Sequence, residues 1–282
     1  MADDIVIGVD LGGTNITIGK VTNDRVVSNS TFPITSQGTE AKIITEIIHA
    51  IDNIFDEQIT GIGVGVPSLV DVDKGIVYDV QNIPSWKKVH LKEILEKKYE
   101  RPAYINNDAN CFAVGEKYFG KGKKYKNMVG ITIGTGLGAG VIINHHLYSG
   151  MNCGAGEFGS ILYKDNICEY YCSGQFFINQ YGMGGHQVHE NARQGDKKAM
   201  EILREFGHHI GSAITTILFA VDPEAIFIGG SVSESWPFFK DSMWETVKTF
   251  PYKHAVERLV IEKSEQPHIA ILGAAALYFD AQ

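Results

Sequence analysis

The 282-residue chain has no apolar run of the ~20 residues that a membrane-spanning helix needs. Its opening "MADDIVIG" is acidic and enters a strand pattern at once, unlike a secretory leader. A cytoplasmic protein without a membrane partner is therefore expected. Basic residues are in the minority, 25 Lys and Arg against 33 Asp and Glu, for a formal charge of −8. A binder of phosphate backbones needs a clustered basic face to displace counterions, so nucleic acid is not an expected partner. The one basic stretch, residues 120–126 ("GKGKKYK"), sits between a helix-like and a strand-like segment and reads as a solvated loop. Cysteine is scarce: Cys111, Cys153, Cys168 and Cys172 fit buried thiols in a reducing compartment. Cys168 and Cys172, four apart, could supply half a metal site, but a tetrahedral zinc centre takes four ligands and no others stand at a convincing spacing. No Pro- or Ser-rich linker and no low-complexity segment interrupts the chain.

What is abundant is glycine, 31 residues, within an otherwise globular composition that is 44% hydrophobic and 21% charged. The length suffices for two lobes of ordinary size, each with its own core. Residues 5–10, 15–21 and 25–32 read as an antiparallel meander. Ile43, Ile44, Ile47, Ile48, Ile51 and Ile54 form a helical stripe. Residues 59–71 read as a buried strand running into a turn at Pro67, which cannot join a central ladder. A short amphipathic helix over 90–99 precedes a strand that switches directly into a helix at 106–110. Helical patterns dominate 174–220, a strand at 224–229 feeds a Gly-Gly turn, and a small-residue helix closes the chain.

Two segments resemble each other: "IGVDLGGTNITI" at 7–18 and "ITIGTGLGAGVI" at 131–142, each a strand, a Gly-rich turn and a returning strand. Either could be a tight hairpin whose glycines supply positive φ. Consecutive N–H groups in such turns also form concavities for phosphate, which side chains would block. Two of them, with Asp10, Gly12, Gly13, Thr14 and Asn15 in the first and Gly134, Thr135 and Gly136 in the second, favour phosphate. Asp10 beside a polyphosphate could bind Mg²⁺ directly or through its water shell.

The junction at 106–110 gathers Asn106, Asn107, Asp108 and Asn110, an expensive place for unpartnered polar groups, so a ligand is expected there. Asp108 reads either as an ordinary helix N-cap or as a general base fixed at the end of a strand.

These residues carry a resemblance to the ROK family of sugar kinases within the actin/hexokinase-like ATPase superfamily. It spans essentially the whole chain: "DLGGTN" at 10–15, "GVPSLVD" at 65–71, "QNIPSW" at 81–86, "NNDAN" at 106–110, "GTGLGAG" at 134–140, "GAGEFG" at 154–159, "CEYYCSG" at 168–174 and "IFIGGSVS" at 226–233. The resemblance implies a two-lobed, ribonuclease-H-like α/β fold with an interlobe cleft. A smaller lobe would cover 1–107, with a terminal helix near 271–282 packed back on it, and a larger one 108–270. It implies ATP and Mg²⁺ as cofactors and phosphoryl transfer to a hexose, with Asp108 as catalytic base. Pro67, Asn82, Asn107, Glu157, Ser160 and Glu169 would lie on the sugar side, and Gly229 and Gly230 where the nucleoside approaches. A homodimer is implied as well.

The chemistry of these residues agrees, because phosphoryl transfer needs in-line positioning, a cation and one carboxylate for the hydroxyl proton. Glu157, between glycines, suits a ligand better than a surface ion pair, whereas Glu169 could merely open the helix that follows it. The chain departs from the family where relatives carry a His and a Cys-rich loop that hold zinc. Ser160 takes the His position and the loop is shortened, so no zinc is expected and the sugar pocket is expected to discriminate less. The leading expectation is a glucokinase-like hexose kinase, acting on glucose and also mannose, and the alternative is a kinase of GlcNAc or ManNAc. A ROK repressor would need a helix-turn-helix segment ahead of Ile5, and a non-catalytic sugar sensor would have no use for Asp108. Trp86, next to the sugar segment, would report binding through its emission. Trp236, Trp244 and the paired histidines His145, His146, His208 and His209 read as structural or exposed.

Overall fold

In the computed structural model, which describes residues 4–80, 82–151 and 153–282, the opening apolar runs form the expected meander of β1 (Ile5–Leu11), β2 (Asn15–Thr22) and β3 (Arg25–Pro33). The first three residues and Gln81 of "QNIPSW" lie outside the described residues. Thr39 caps α1 (Glu40–Asp52), its hydroxyl accepting from the Lys42 N–H, and the Ile43, Ile47 and Ile51 stripe is buried. β4 (Ile59–Val66) runs parallel to β1 and ends at Pro67. Next come three short strands that pair among themselves, β5 (Leu69–Asp71), β6 (Ile76–Tyr78) and β7 (Lys88–His90), which the sequence did not disclose. α2 (Leu91–Tyr99) leads to β8 (Ala103–Asn107), parallel to β4, and completes a sheet of order β3-β2-β1-β4-β8.

α3 (Asp108–Tyr118) follows β8 without a break, and then come β9 (Met128–Ile133), β10 (Leu137–Ile143) and β11 (His146–Leu147). A two-residue hairpin, β12 (Leu162–Tyr163) and β13 (Asn166–Ile167), precedes the helices α4 (Cys168–Cys172), α5 (Gly174–Tyr181), α6 (Gly185–Arg193) and α7 (Lys197–Val221). The chain ends with β14 (Ala225–Gly229), α8 (Trp236–Val247), α9 (Lys253–Arg258), β15 (Val260–Lys263) and α10 (Ile269–Asp280). The second large sheet has the order β11-β10-β9-β14-β15, so both sheets carry an antiparallel hairpin followed by two parallel strands in the same sequence. The two similar hairpins of the sequence thus hold equivalent places in two sheets of one topology.

The chain divides into two units, but not at residue 107. One unit runs through Lys124 and takes in Gly140–Ala155 and Glu265–Gln282; the other comprises Tyr125–Ala139 and Gly156–Ser264. The expected boundary fails because α3 cannot be separated from α10. A Cβ on Gly273 would lie 2.2 Å from the Cys111 carbonyl oxygen, and one on Gly115 2.9 Å from the Gly273 Cα. α10 crosses the sheet equally closely, since a Cβ on Gly63 would fall 1.8 Å from the Ala274 oxygen and one on Gly8 2.1 Å from that of Ile271. Small residues on both sides bring backbone onto backbone, and this packing holds α3 against α10.

Candidate active site

In the first unit, strand register sets the site. Asp10 of β1 pairs with Gly65 of β4, and Gly65 with Asn106 of β8. Asp108 follows just beyond, and a Cβ on Gly65 would come within 3.8 Å of its Cα. A Cβ at 65 would also come 3.1 Å from the Cys111 Sγ, so glycine here makes room for the buried Cys111 thiol, which faces both aspartates. Asp10 is pushed up to about 6, first by burial and then by the negative charge of Asp108. Desolvation also raises Asp108, although its side chain reaches solvent, and hydrogen bonds from the backbone N–H groups of Ala109 and of Asp108 itself work against the rise. The Ala109 N–H donates to the Asp108 Oδ1 at 2.8 Å, which fixes the carboxylate at the first turn of α3.

Asp108 is not the N-cap. Asn107 is, with extended φ and ψ and a side-chain oxygen that accepts from the Ala109 N–H at 2.9 Å. Its amide donates to the Ser68 oxygen at 3.2 Å. Asn107, expected on the sugar side, thus has both ends of its side chain engaged within the chain. Asn106 and Asn110, each 2% exposed, are also structural. The Asn106 Oδ1 accepts from the Asn110 amide at 2.9 Å and the Asn107 N–H at 2.8 Å, and the Asn106 amide donates to the Ser149 hydroxyl at 3.3 Å. The amides at 106, 107 and 110 are thus engaged within the chain, apart from the Asn110 Oδ1, which is buried without a hydrogen-bond partner.

Beside Asp10, the Gly12 N–H donates to the Asn15 oxygen at 2.9 Å and closes the turn, leaving Thr14 and Asn15 exposed. Gly13 abuts Asn82, whose Cβ would lie 3.0 Å from an added one. Asn82 is exposed and its loop is pinned by Trp86, which is fully buried. Trp86 is thus a plug in the core and not a platform for sugar. Pro67 is half-buried at the end of β4.

The second unit builds its own site around the 134–136 turn. None of Gly12, Gly13, Gly134 and Gly136 has a positive φ, so hairpin geometry does not explain these glycines. Proximity does at Gly136, where a Cβ would lie 2.5 Å from the Glu169 Oε2. At Gly134 a Cβ would meet nothing closer than 3.8 Å, so this glycine borders open space. The space is a cavity of about 530 Å³, lined by Gly134, Thr135, Gln175, Ile178, His189 and Val232 among others. That volume lies within the roughly 300–1,000 Å³ typical of sites for small molecules. Gly230, with φ +84, packs against the Ile133 backbone, and the wall of the cavity begins one residue later at Ser231. The cavity residues on α5 and α6 escaped the sequence reading. The one signal for them was the buried Val188 and Ala192 of α6, which leave His186 and His189 on another side of that helix.

Glu157 and Ser160 are exposed at the two ends of the short helical turn Phe158–Ser160, where the Ser160 N–H donates to the Glu157 oxygen at 3.2 Å. The β12–β13 hairpin fills the shortened loop, and the Tyr163 hydroxyl lies 3.0 Å from the His209 Nδ1. Burial lowers His209 to about 4, so its imidazole is neutral. The thiols of Cys168 and Cys172 are 3.6 Å apart. Among the described residues, no three His, Cys, Asp or Glu side chains group to hold a metal ion, and no helix is long and apolar enough to cross a membrane.

With this geometry in place, the comparisons with known proteins are direct. Residues 6–281 match the ROK family, and the chain belongs to it. Its fold is the mixed α/β fold of the actin/hexokinase-like ATPases. The glucokinase of Halalkalibacterium halodurans is 30% identical, over 97% of this chain and 92% of that protein. A ROK family glucokinase from Streptomyces griseus, solved in complex with glucose and AMPPNP, superposes with a TM-score of 0.80 at 27% identity, covering 97% of this chain and 98% of that one. The xylose repressor of Bacillus subtilis is 32% identical over 74% of this chain, a match that spans 59% of the repressor.

Proposed function

We propose that this protein transfers the γ-phosphoryl group of ATP to a hexose, with the 6-hydroxyl of glucose as the main acceptor and mannose as a further one. One observation carries the reading: a solvent-reaching carboxylate, Asp108, is fixed at the start of α3 and electrostatically coupled to a second carboxylate, Asp10, beside a Gly turn. Glucokinase relatives over nearly the full length support it.

Phosphoryl transfer asks the protein mainly to position and to stabilise charge. Asp108 accepts the proton of the attacking hydroxyl, and a carboxyl with raised proton affinity is better suited to that step than an ordinary one. In the first unit, the exposed Asn82 is a polar partner for sugar hydroxyls. Asn107 contributes by capping α3. In the second unit, the turn at 134–136 offers backbone N–H groups to phosphate, and the cavity beside Gly134 takes the nucleoside. Asp10 would hold the nucleotide's Mg²⁺, directly or through water, and that ion supplies neutralising charge on the phosphates. The fit is good, because a nearby cation would relieve the opposition between Asp10 and Asp108.

Ser160 favours a second reading, a kinase of GlcNAc or ManNAc. Its small exposed side chain stands where the family resemblance puts a His, and the loss of that polar contact relaxes discrimination against a 2-acetamido group. An ADP-release assay with glucose, mannose, fructose, GlcNAc and ManNAc separates the two. The expected result is fastest turnover on glucose. Turnover confined to the acetamido sugars selects the second reading, and sugar binding without ADP release on any of the five identifies a non-catalytic sugar sensor.

A further inference from the structure

We infer that Glu169 is a positioning residue for the nucleotide's phosphates, clamping the 134–136 turn to the Gln175 wall of the cavity. The inference deepens the kinase reading and rests on it, and it gives this carboxylate a task in addition to the sugar contact implied by resemblance.

Glu169 lies in the first turn of α4 and is half-buried. Its Oε2 accepts from the Leu137 N–H at 2.9 Å, and its Oε1 accepts from the Gln175 Nε2 at 3.0 Å. Leu137 is 6% exposed, so water has poor access to the N–H that Glu169 satisfies. Gly136 is the residue that admits this carboxylate, because any side chain there would collide with the Oε2. At the other end of the turn, the Gly134 oxygen accepts from the Gly174 N–H at 2.7 Å. Gly174 opens α5, whose cap is Ser173, and Gln175 follows it directly.

Both ends of the turn are therefore tied to one short stretch, 169–175. Leu137 is held through the carboxylate and Gly134 through the backbone. Gln175 closes the loop, since it lines the cavity and bonds the same carboxylate. The N–H groups of the turn can receive phosphate without reorganising only while this frame stands, and a charged acceptor on Leu137 makes the bond strong.

The test measures binding of AMPPNP with Mg²⁺ to the sugar-free protein by titration calorimetry, for wild type, E169Q, Q175A and the double variant, with glucose binding measured in parallel. We expect E169Q to weaken nucleotide binding about tenfold. Q175A should weaken it by a smaller factor and leave glucose affinity unchanged. The double variant should lose less than the two single losses combined, as expected when the two residues share a bond. Nucleotide affinity equal to wild type in both single variants, with weaker glucose binding in E169Q, overturns the inference and leaves Glu169 a sugar ligand. If E169Q does not fold, Q175A decides, because it leaves the Leu137 bond in place. Wild-type protein that binds no nucleotide overturns both the inference and the kinase reading.

Discussion

Burial, and after it the negative charge of Asp108, hold the carboxyl of Asp10 up to about 6, so the two aspartates of the first unit resist being ionised together. The register that aligns Asp10, Gly65 and Asn106 across three strands makes this possible. Ordinary aspartate titrates near 3.8, so between pH 3.8 and about 6 the folded chain keeps a proton at Asp10 that the unfolded chain has released.

Stability is accordingly expected to fall as pH rises through that window and to level off above it, by on the order of 2–3 kcal/mol for this one group. D10N removes the ionisable group. It should be more stable than wild type at pH 8 and should lose that advantage by pH 4, as read by urea unfolding at the two pH values. A difference independent of pH would contradict the assignment.

If the protein is the proposed kinase, the same titration should limit its catalysis. Turnover should decline on the acid side as Asp10 protonates near pH 6, and the limb should disappear from a pH profile of nucleotide binding in D10N. Binding of Mg²⁺ with nucleotide favours the ionised carboxylate, so it should release a proton near pH 6, measurable from the buffer dependence of the calorimetric heat.

Gly63 and Gly134 should respond oppositely to alanine. At Gly63 the new methyl meets the Ala274 backbone oxygen, and α10 must lift from the sheet, with an expected loss of about 1–3 kcal/mol or more. At Gly134 the methyl enters the cavity, so stability should change by no more than about 0.5 kcal/mol while nucleotide affinity falls roughly tenfold. Thermal melts and nucleotide titrations of G63A and G134A check both outcomes.

Long periodic elements were legible in the sequence because burial of one face writes their period directly. The β1–β2 hairpin and the Ile stripe of α1 follow that rule, whereas β4, broken by Pro67, and the small-residue α10 are buried nearly throughout and show instead as continuous apolar runs. The small sheet β5–β7 and the hairpin β12–β13 were not legible, since strands of two or three residues show no period. The division of the chain was misplaced for a related reason. Gly115 and Gly273 show as small residues in the sequence, but their mutual contact across more than 150 positions does not. In the candidate site, Asp108 and the two glycine turns stand out in the sequence by residue type and spacing. The engagement of Asn107 as a cap, of Asn106 and Asn110 as internal bracing and of Glu169 on Leu137 depends on where the chain folds back, which no local pattern encodes.

The most direct test of the central claim is ³¹P NMR of reaction mixtures containing Mg²⁺, ATP and glucose, comparing wild type with D108N. The account predicts conversion of ATP to ADP with growth of a glucose 6-phosphate resonance for wild type. D108N should show a rate lower by about 10²–10⁴-fold, with glucose still bound. Unchanged phosphate transfer by D108N would contradict the role given to Asp108.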